Sequence, residues 1–139
     1  NGEYDAIILA YAGLKRLKIK EYYEKIEIKE MIPSPGQGVI AIVIREGDDL
    51  FSLLKKLNDQ KTLIESECER IFLSALDGSC KTPIGALARL ELKSRSKILF
   101  YYMVASMDGK KFIKDKTYFD IDNYYKMSFN LGKKIKKML

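Results

Sequence analysis

Histidine is absent from the 139-residue chain, and cysteine occurs only as Cys68 and Cys80. The missing imidazole removes the commonest general base near neutral pH, and with so few ligands we expect no metal site. Two cysteines do not build a disulfide framework, and they favour a reducing compartment. No apolar run approaches the length of a membrane span, so we expect no membrane partner. Covalent chemistry therefore has few places to occur in this chain.

The composition is that of a globular protein with a basic surface. Hydrophobic residues make up 47% and charged residues 32% of the chain, as in globular proteins. Its length of 139 residues is enough for one domain with its own core. The net charge is +6, and three explanations are open: a lysine-rich proteome, an acidic small ligand, or nucleic acid. No RNA-binding aromatic motif or zinc-finger spacing accompanies the charge, so we expect no nucleic acid partner.

The first part of the chain, residues 1–46, has the pattern of α/β material. Tyr4–Ala10 and Val39–Ile44 are apolar runs that predict buried strands, and Ala12–Leu17 predicts a helix directly after the first of them. Met31–Gly38 contains two prolines and two glycines, which exclude a helix there. Because so few strands cannot complete a sheet, and the chain starts without Met, we expect it to be a fragment.

The second part, residues 47–139, predicts an α-β-β-β-α unit that can bury its own core. Its longest helix, Lys61–Leu76, has an apolar face and an opposite charged face, and Gly78 is expected to cap its end. Asp108-Gly109 predicts a hairpin between the last two strands. The apolar face carries Ile64, Cys68, Ile71, Phe72 and Ala75, and the charged face carries Glu65, Glu67, Glu69 and Arg70. The other predicted elements are helices at Asp49–Leu57 and Asp120–Leu139 and strands at Ile84–Leu92, Lys97–Ala105 and Lys111–Phe119.

Few side chains are candidates for a functional role, and each also has a plain structural explanation. Cys80 follows a glycine turn and precedes a proline, so it is expected on a loop, either reactive or merely packed, whereas Cys68 is expected in the core. Arg16 lies near a strand-to-helix turn and either binds an anion or is solvated. Gly36-Gln37-Gly38 either brings backbone amides close to a ligand or is a simple turn. Arg70 most simply forms surface salt bridges.

The segment Glu69–Gly85, ERIFLSALDGSCKTPIG, resembles the cofactor-attachment signature of the porphobilinogen deaminases, a family also called hydroxymethylbilane synthases. The features in common are a Glu-Arg pair, a turn of glycine, a small residue and cysteine, and then Pro-Ile-Gly. YDAIILAYAGLKRL is similar to the end of the family's second domain, and PSPGQGVIAIVIR is similar to the crossover that returns to its first domain. Ser79 stands where the family often has glycine, a change that the turn should tolerate.

The resemblance implies an α+β fold. Residues 47–139 would form the cofactor-attachment domain at the C-terminal end, in which a three-stranded antiparallel sheet packs with helices. Residues 1–46 would be remnant strands and a helix of two periplasmic-binding-like α/β domains, including the crossover hinge. The missing N-terminal domains of the same protein would then be partners of this chain.

The resemblance also implies a transferase of tetrapyrrole biosynthesis, and hence of porphyrin and heme biosynthesis. The family joins four porphobilinogen units into hydroxymethylbilane with release of ammonia, and the growing polypyrrole is carried on a dipyrromethane cofactor. A thioether holds that cofactor to a loop cysteine, here Cys80. Arg16 matches an arginine that binds the pyrrole carboxylates, and Gly13, Gln37 and Gly38 match segments that line the cleft. The family's catalytic aspartate lies outside these residues, so we expect no catalytic residue in this chain and an inactive fragment.

The alternative hypothesis is a non-enzymatic binding module, or a pseudo-enzyme of the same fold, in which Cys80 is unmodified. An enzyme of this family would be expected in the cytoplasm or in a plastid.

Overall fold

The structure, a computed structural model, describes residues 4–78, 83–91 and 97–139. The chain divides into two compact units, residues 1–30 and 31–139. The first unit contains the helix α1, Tyr11–Arg16. The second contains α2 (Phe51–Leu54) with a following 3-10 turn (Lys55–Leu57), α3 (Gln60–Ala75), β1 (Ile84–Glu91), β2 (Lys97–Ala105), β3 (Phe112–Asp120) and α4 (Tyr124–Lys136).

The helix of the first unit is short, and none of its residues is buried. It ends in a Schellman motif, in which the Ile19 N–H donates to the Leu14 carbonyl at 3.0 Å and the Lys18 N–H to the Lys15 carbonyl at 3.1 Å. Lys18 takes the left-handed conformation that this motif requires, with φ of 55°. The predicted helix at residues 12–17 is therefore confirmed to within one residue at each end.

The second unit is built on one antiparallel sheet in the order β1-β2-β3. Ile84 of β1 pairs with Val104 of β2, and Lys97 of β2 pairs with Asp120 of β3. The turn between β2 and β3 contains Gly109, whose φ of 69° suits glycine. Each of the three predicted strands is confirmed to within one residue over its described part.

The core of the second unit lies between the sheet and the pair α3 and α4. The Phe72 ring of α3 meets the Phe100 ring of β2 with centroids 5.2 Å apart, and Phe100 stacks on Phe119 of β3 at 5.0 Å. The two helices approach closely at Gly132, where an added Cβ would lie 2.6 Å from the Cβ of Ala75. The largest fully buried side chains are those of Phe72, Phe100, Ile98, Val104, Cys68 and Ser128.

Two apolar segments do not form the predicted strands. Neither Tyr4–Ala10 nor Val39–Ile44 is a strand in the structure, and no described residue pairs with either segment. Their side chains are largely exposed, with Ile40 at 86% and Val43 at 90%. An apolar run predicts burial, but a strand exists only where a neighbouring backbone supplies its hydrogen bonds. These two strand predictions are therefore wrong for the chain as it stands.

The end of α3 also differs from the prediction. The left-handed residue is Asp77, with φ of 51°, and not Gly78. The Gly78 N–H donates to the Leu73 carbonyl and the Asp77 N–H to the Ser74 carbonyl, both at 3.0 Å, which is again a Schellman motif. An added Cβ at Gly78 would lie 2.4 Å from a methyl carbon of Leu73 and 2.7 Å from one of Ile84, so a larger residue there would require these two side chains to shift.

Candidate functional site

The residues predicted to bind the cofactor occur in both units. Gly13 and Arg16 lie on α1 of the first unit, while Gln37 and Gly38 lie on a loop of the second. Cys80 lies outside the described residues. The structure thus brings these candidates together as two pairs, each within its own unit, and their assigned roles stay predictions.

Arg16 offers an exposed guanidinium in the last turn of α1. In the described part of the chain no carboxylate forms an ion pair with it. The same unit carries further positive charge, since the ammonium groups of Lys15 and Lys25 lie 5.3 and 4.5 Å from the centroid of the Tyr11 ring. Gly13 faces open space, with no atom within 4 Å of an added Cβ. This side of α1 is accessible to an anionic ligand.

Gln37 lies at the tip of two successive tight turns. The Gln37 N–H donates to the Ser34 carbonyl and the Val39 N–H to the Gly36 carbonyl, each at 3.2 Å. Gly36 and Gly38 occupy the third position of these turns with φ of 72° and 85°, the conformation that a type II turn requires. The glycines are therefore needed for the shape of the loop, and Gln37 and Gly38 are exposed on it.

A groove of about 820 Å³ runs beside this loop in the second unit. Gly38 and the apolar segment 39–44 form one side, and Thr62, Ser66 and Arg70 of α3 contribute to the other. Arg70 is exposed, and among the described residues no carboxylate forms an ion pair with it. The expected surface salt bridges of Arg70 are therefore not formed, although three glutamates precede it on the same helix.

Cys68 is a core residue, as predicted. Its side chain is fully buried, and burial raises the pKa of the thiol to about 12. The Ser128 hydroxyl donates to the Cys68 carbonyl oxygen at 2.7 Å, which ties α4 to α3 at this point. A thiol that is both inaccessible and protonated is a poor nucleophile.

Glu69 is buried in the structure, which the sequence did not predict. The helical pattern put it on the charged outer face of α3, yet it is only 5% exposed. Its Oε1 accepts the Ala88 N–H at 2.8 Å and its Oε2 accepts the Gly36 N–H at 2.7 Å. Burial raises the pKa of this carboxyl group, and the two hydrogen bonds partly oppose that rise. Glu65, one turn earlier, binds β1 in the same way by accepting the Leu90 N–H at 2.7 Å.

The described ranges contain neither a cluster of metal ligands nor a membrane-spanning helix. Within residues 4–78, 83–91 and 97–139 no group of three or more His, Cys, Asp and Glu side chains is placed to hold a metal ion. Across the same ranges no helix has the length and apolar character needed to cross a membrane.

Two family models match the chain and together cover most of it. "Porphobilinogen deaminase, dipyromethane cofactor binding domain" matches residues 1–52, and "Porphobilinogen deaminase, C-terminal domain" matches residues 63–139. The chain belongs to the porphobilinogen deaminase family. The resemblance of the sequence to this family is thereby confirmed, and the second match covers α3 from Leu63 onward, the whole sheet and α4. The α+β fold implied by the resemblance is likewise confirmed.

Curated relatives show how much of a family member this chain represents. It is 42% identical over 135 residues to the porphobilinogen deaminase of a Nitratiruptor species, a match that covers 95% of this chain and 42% of the relative. The porphobilinogen deaminase of Roseiflexus castenholzii is 43% identical over 111 residues, covering 78% of this chain and 36% of the relative. That of Campylobacter lari is 35% identical over 136 residues, covering 96% and 43%. The chain therefore spans about two fifths of these relatives.

Proposed function

We propose that this chain is the C-terminal part of a hydroxymethylbilane synthase whose dipyrromethane cofactor is attached through a thioether to Cys80. The whole enzyme would join four porphobilinogen molecules into hydroxymethylbilane with release of ammonia. The observation that carries the proposal is the match of residues 63–139 to the C-terminal domain of the family, a range that includes Cys80.

The environment of the other cysteine supports Cys80 as the attachment residue. A thioether forms through a thiolate that can reach its target. Cys68 is fully buried with a pKa of about 12, so it meets neither condition. The chain's other cysteine is Cys80, which is therefore the candidate for attachment.

The two family matches also suggest which parts of the chain would bind the cofactor. The cofactor-binding model covers residues 1–52, whereas Cys80 belongs to the second match. We therefore expect residues of the first match to take part in binding a cofactor that is tethered at Cys80. The proposed boundary between a remnant at residues 1–46 and an attachment domain at residues 47–139 lies close to the end of the first match, which supports it.

The side chains of the first part suit a ligand with several carboxylates. Each pyrrole carries an acetate and a propionate, and an exposed arginine without a carboxylate partner binds such groups through charge-assisted hydrogen bonds. Arg16 would take this role, with Gly13 leaving space beside it, while Gln37 and Gly38 would bind through the side-chain amide and the backbone. When bound, the cofactor supplies the anchor that keeps the growing product at the site, so that effective concentration replaces repeated binding.

Intact mass spectrometry of the full-length protein that contains this chain tests the attachment. The unsubstituted protein and Cys68→Ala should both carry the added mass of dipyrromethane, and Cys80→Ala should lack it. Cys68→Ala is the matched control because it removes the chain's other thiol. An adduct that persists in Cys80→Ala would contradict the assignment. A full-length protein without any adduct would favour the binding module or pseudo-enzyme instead.

The chain by itself should convert no porphobilinogen into hydroxymethylbilane. The catalytic aspartate implied by the family resemblance lies outside these residues, and without it the leaving amine lacks its acid. An assay for hydroxymethylbilane with the isolated chain, run beside the full-length protein as positive control, measures this. Turnover by the isolated chain would show that the acid lies within these 139 residues.

A further inference from the structure

The segment Ile32–Gly36, here called the strap, runs along the outer edge of β1. Ile32 packs over Gly85, where an added Cβ would lie only 2.5 Å from the Ile32 carbonyl oxygen. The Pro33 carbonyl accepts the Ala86 N–H at 2.9 Å. At its far end the Gly36 N–H donates to Glu69. The strap is therefore held at both ends and covers an edge that would otherwise expose unpaired backbone groups.

Glu69 is the link between the strap and two other elements. It belongs to α3, its Oε2 binds the strap at Gly36, and its Oε1 binds β1 at Ala88, with both distances under 3 Å. A carboxylate that is nearly fully buried costs free energy unless its oxygens are hydrogen-bonded. Here both oxygens accept a backbone N–H, and the charge of Arg89 lowers the pKa of the carboxyl group while that of Glu65 raises it. The buried charge is thus used to join three segments at one point.

These segments lead directly to the residues of the proposed cofactor site. Gly36 immediately precedes Gln37 and Gly38, and β1 begins at Ile84, four positions after Cys80. We propose that Glu69 is a positioning residue, which fixes the Gln37–Gly38 turn relative to β1. This inference rests on the proposed function. It assigns to the Glu69 carboxylate the alignment of a proposed cofactor-contacting turn with the strand that Glu69 also binds.

Glu69→Gln is the informative substitution, because it keeps the shape and replaces one accepting oxygen with an NH2 group. That group cannot accept, so either the Gly36 or the Ala88 N–H loses its partner. Glu65→Gln is the matched control. It is the same change one turn earlier on α3, and Glu65 also accepts a β1 amide, that of Leu90, but none from the strap.

The two hydrogen bonds by which Glu69 joins the strap to β1 are here called the clamp. Amide hydrogen exchange of the chain tests the clamp without reference to activity. In Glu69→Gln the amide that loses its acceptor, Gly36 or Ala88, should exchange about tenfold or more faster, as expected for losing a hydrogen bond to a charged group. In Glu65→Gln the remaining amide oxygen can still accept the Leu90 N–H, so neither Gly36 nor Ala88 should accelerate. Equal exchange at both Gly36 and Ala88 in the two variants, or a uniform acceleration that includes the core strand β2, would overturn the clamp. If Glu69→Gln does not fold, Gly85→Ala lifts the strap at its other end, and unchanged exchange at Gly36 would then overturn it.

Steady-state kinetics of the full-length enzyme test the positioning role. Glu69→Gln should raise the KM for porphobilinogen several-fold relative to Glu65→Gln, with equal cofactor mass and similar melting temperatures. A merely structural role would change the melting temperature and not the ratio of the KM values, so equal KM values would overturn the positioning role. If the unsubstituted full-length protein carries no adduct and has no activity, the proposed function fails, while the exchange data still decide the clamp.

Discussion

Two proton-bearing groups next to the core, the Cys68 thiol and the Tyr124 hydroxyl, make the fold sensitive to alkaline pH. Burial raises the pKa of Cys68 from 9.0 to about 12. The Tyr124 hydroxyl donates to the Glu67 carboxylate at 2.6 Å, and this hydrogen bond raises its pKa from 10.0 to about 12. The folded state therefore holds both protons more tightly than the unfolded state. Stability that is fully present below the unfolded pKa values is lost as the pH rises through the folded ones.

We expect the free energy of unfolding to fall between about pH 9 and pH 12 for this reason. In Cys68→Ala the free energy of unfolding should decrease less steeply from about pH 9 upward. The variant should also be less stable by about 1 kcal/mol or more at neutral pH, because packing is lost. Tyr124→Phe is the control, since it should flatten the fall only above about pH 10. Urea unfolding at a series of pH values measures both. A slope in Cys68→Ala equal to that of the unsubstituted protein would contradict the role of the thiol.

Asp77 carries the backbone strain at the end of α3, and its substitutions should separate strain from charge. Alanine avoids the left-handed region more strongly than aspartate, so Asp77→Ala should lower the free energy of unfolding by about 1 kcal/mol. Asp77→Asn should be nearly neutral, because asparagine tolerates that conformation and only the exposed ion pair with Lys136 is lost. Thermal unfolding of both variants measures the difference. If Asp77→Asn costs as much as Asp77→Ala, the ion pair and not the conformation is what stabilises this helix end.

At the scale of elements, the close crossing of α3 and α4 is the most demanding packing contact. Gly132→Ala would place a Cβ 2.6 Å from the Ala75 Cβ and 2.9 Å from the Phe72 carbonyl oxygen. We expect a loss of about 1–3 kcal/mol from overpacking, although alanine favours a helix over glycine by about 1 kcal/mol. Gly132→Ala combined with Ala75→Gly should recover part of the loss. Unfolding followed by circular dichroism measures the double-mutant cycle, and strictly additive effects would contradict a direct contact.

The elements that the sequence predicted well are those whose signal is local. The strand Lys97–Ala105 was located at its observed bounds, and the helix α3 was shifted by one residue at each end. The last helix begins at Tyr124 and not at Asp120, because β3 continues to Asp120 to pair with Lys97. Strand pairing is a long-range property, so a helical pattern alone could not set that boundary. The dependence on a pairing partner also explains why the apolar patterns of Tyr4–Ala10 and Val39–Ile44 predict strands that the structure does not contain.

The candidate site was predictable only where a motif carried it. Cys80 and Arg16 follow from resemblance to a known signature, whereas Glu69 is part of that signature and still looked like a surface charge. Its burial depends on the strap and on the free edge of β1, which lie 33 and 19 positions away in sequence. The helical pattern of α3 does not show which distant residues Glu69 contacts. The spacing of Glu65 and Glu69, one helical turn apart, was the available hint that both face the same element.

At the scale of the whole molecule, the chain exposes more apolar surface than an isolated domain usually does. Ile7 and Ile8 of the first unit are 68% and 69% exposed, and Ile40 and Val43 of the second are 86% and 90% exposed. Within each unit, a run of exposed apolar side chains of this kind marks a place where another surface binds. The net charge of +6 opposes association of like chains, but only weakly at physiological ionic strength, where charges are screened within about 8 Å.

We therefore expect the isolated chain to self-associate at micromolar concentration, and the segment 39–44 to contribute to it. The double variant Ile40→Lys, Val43→Lys should sediment with a larger monomer fraction, because it removes two of the most exposed apolar side chains. Ser52→Lys with Gln60→Lys is the control, since it adds the same two charges at exposed polar positions of the same unit. Sedimentation velocity at several concentrations measures the distribution. A monomeric unsubstituted chain, or an equal change in the control variant, would mean that the exposed apolar segment does not drive association.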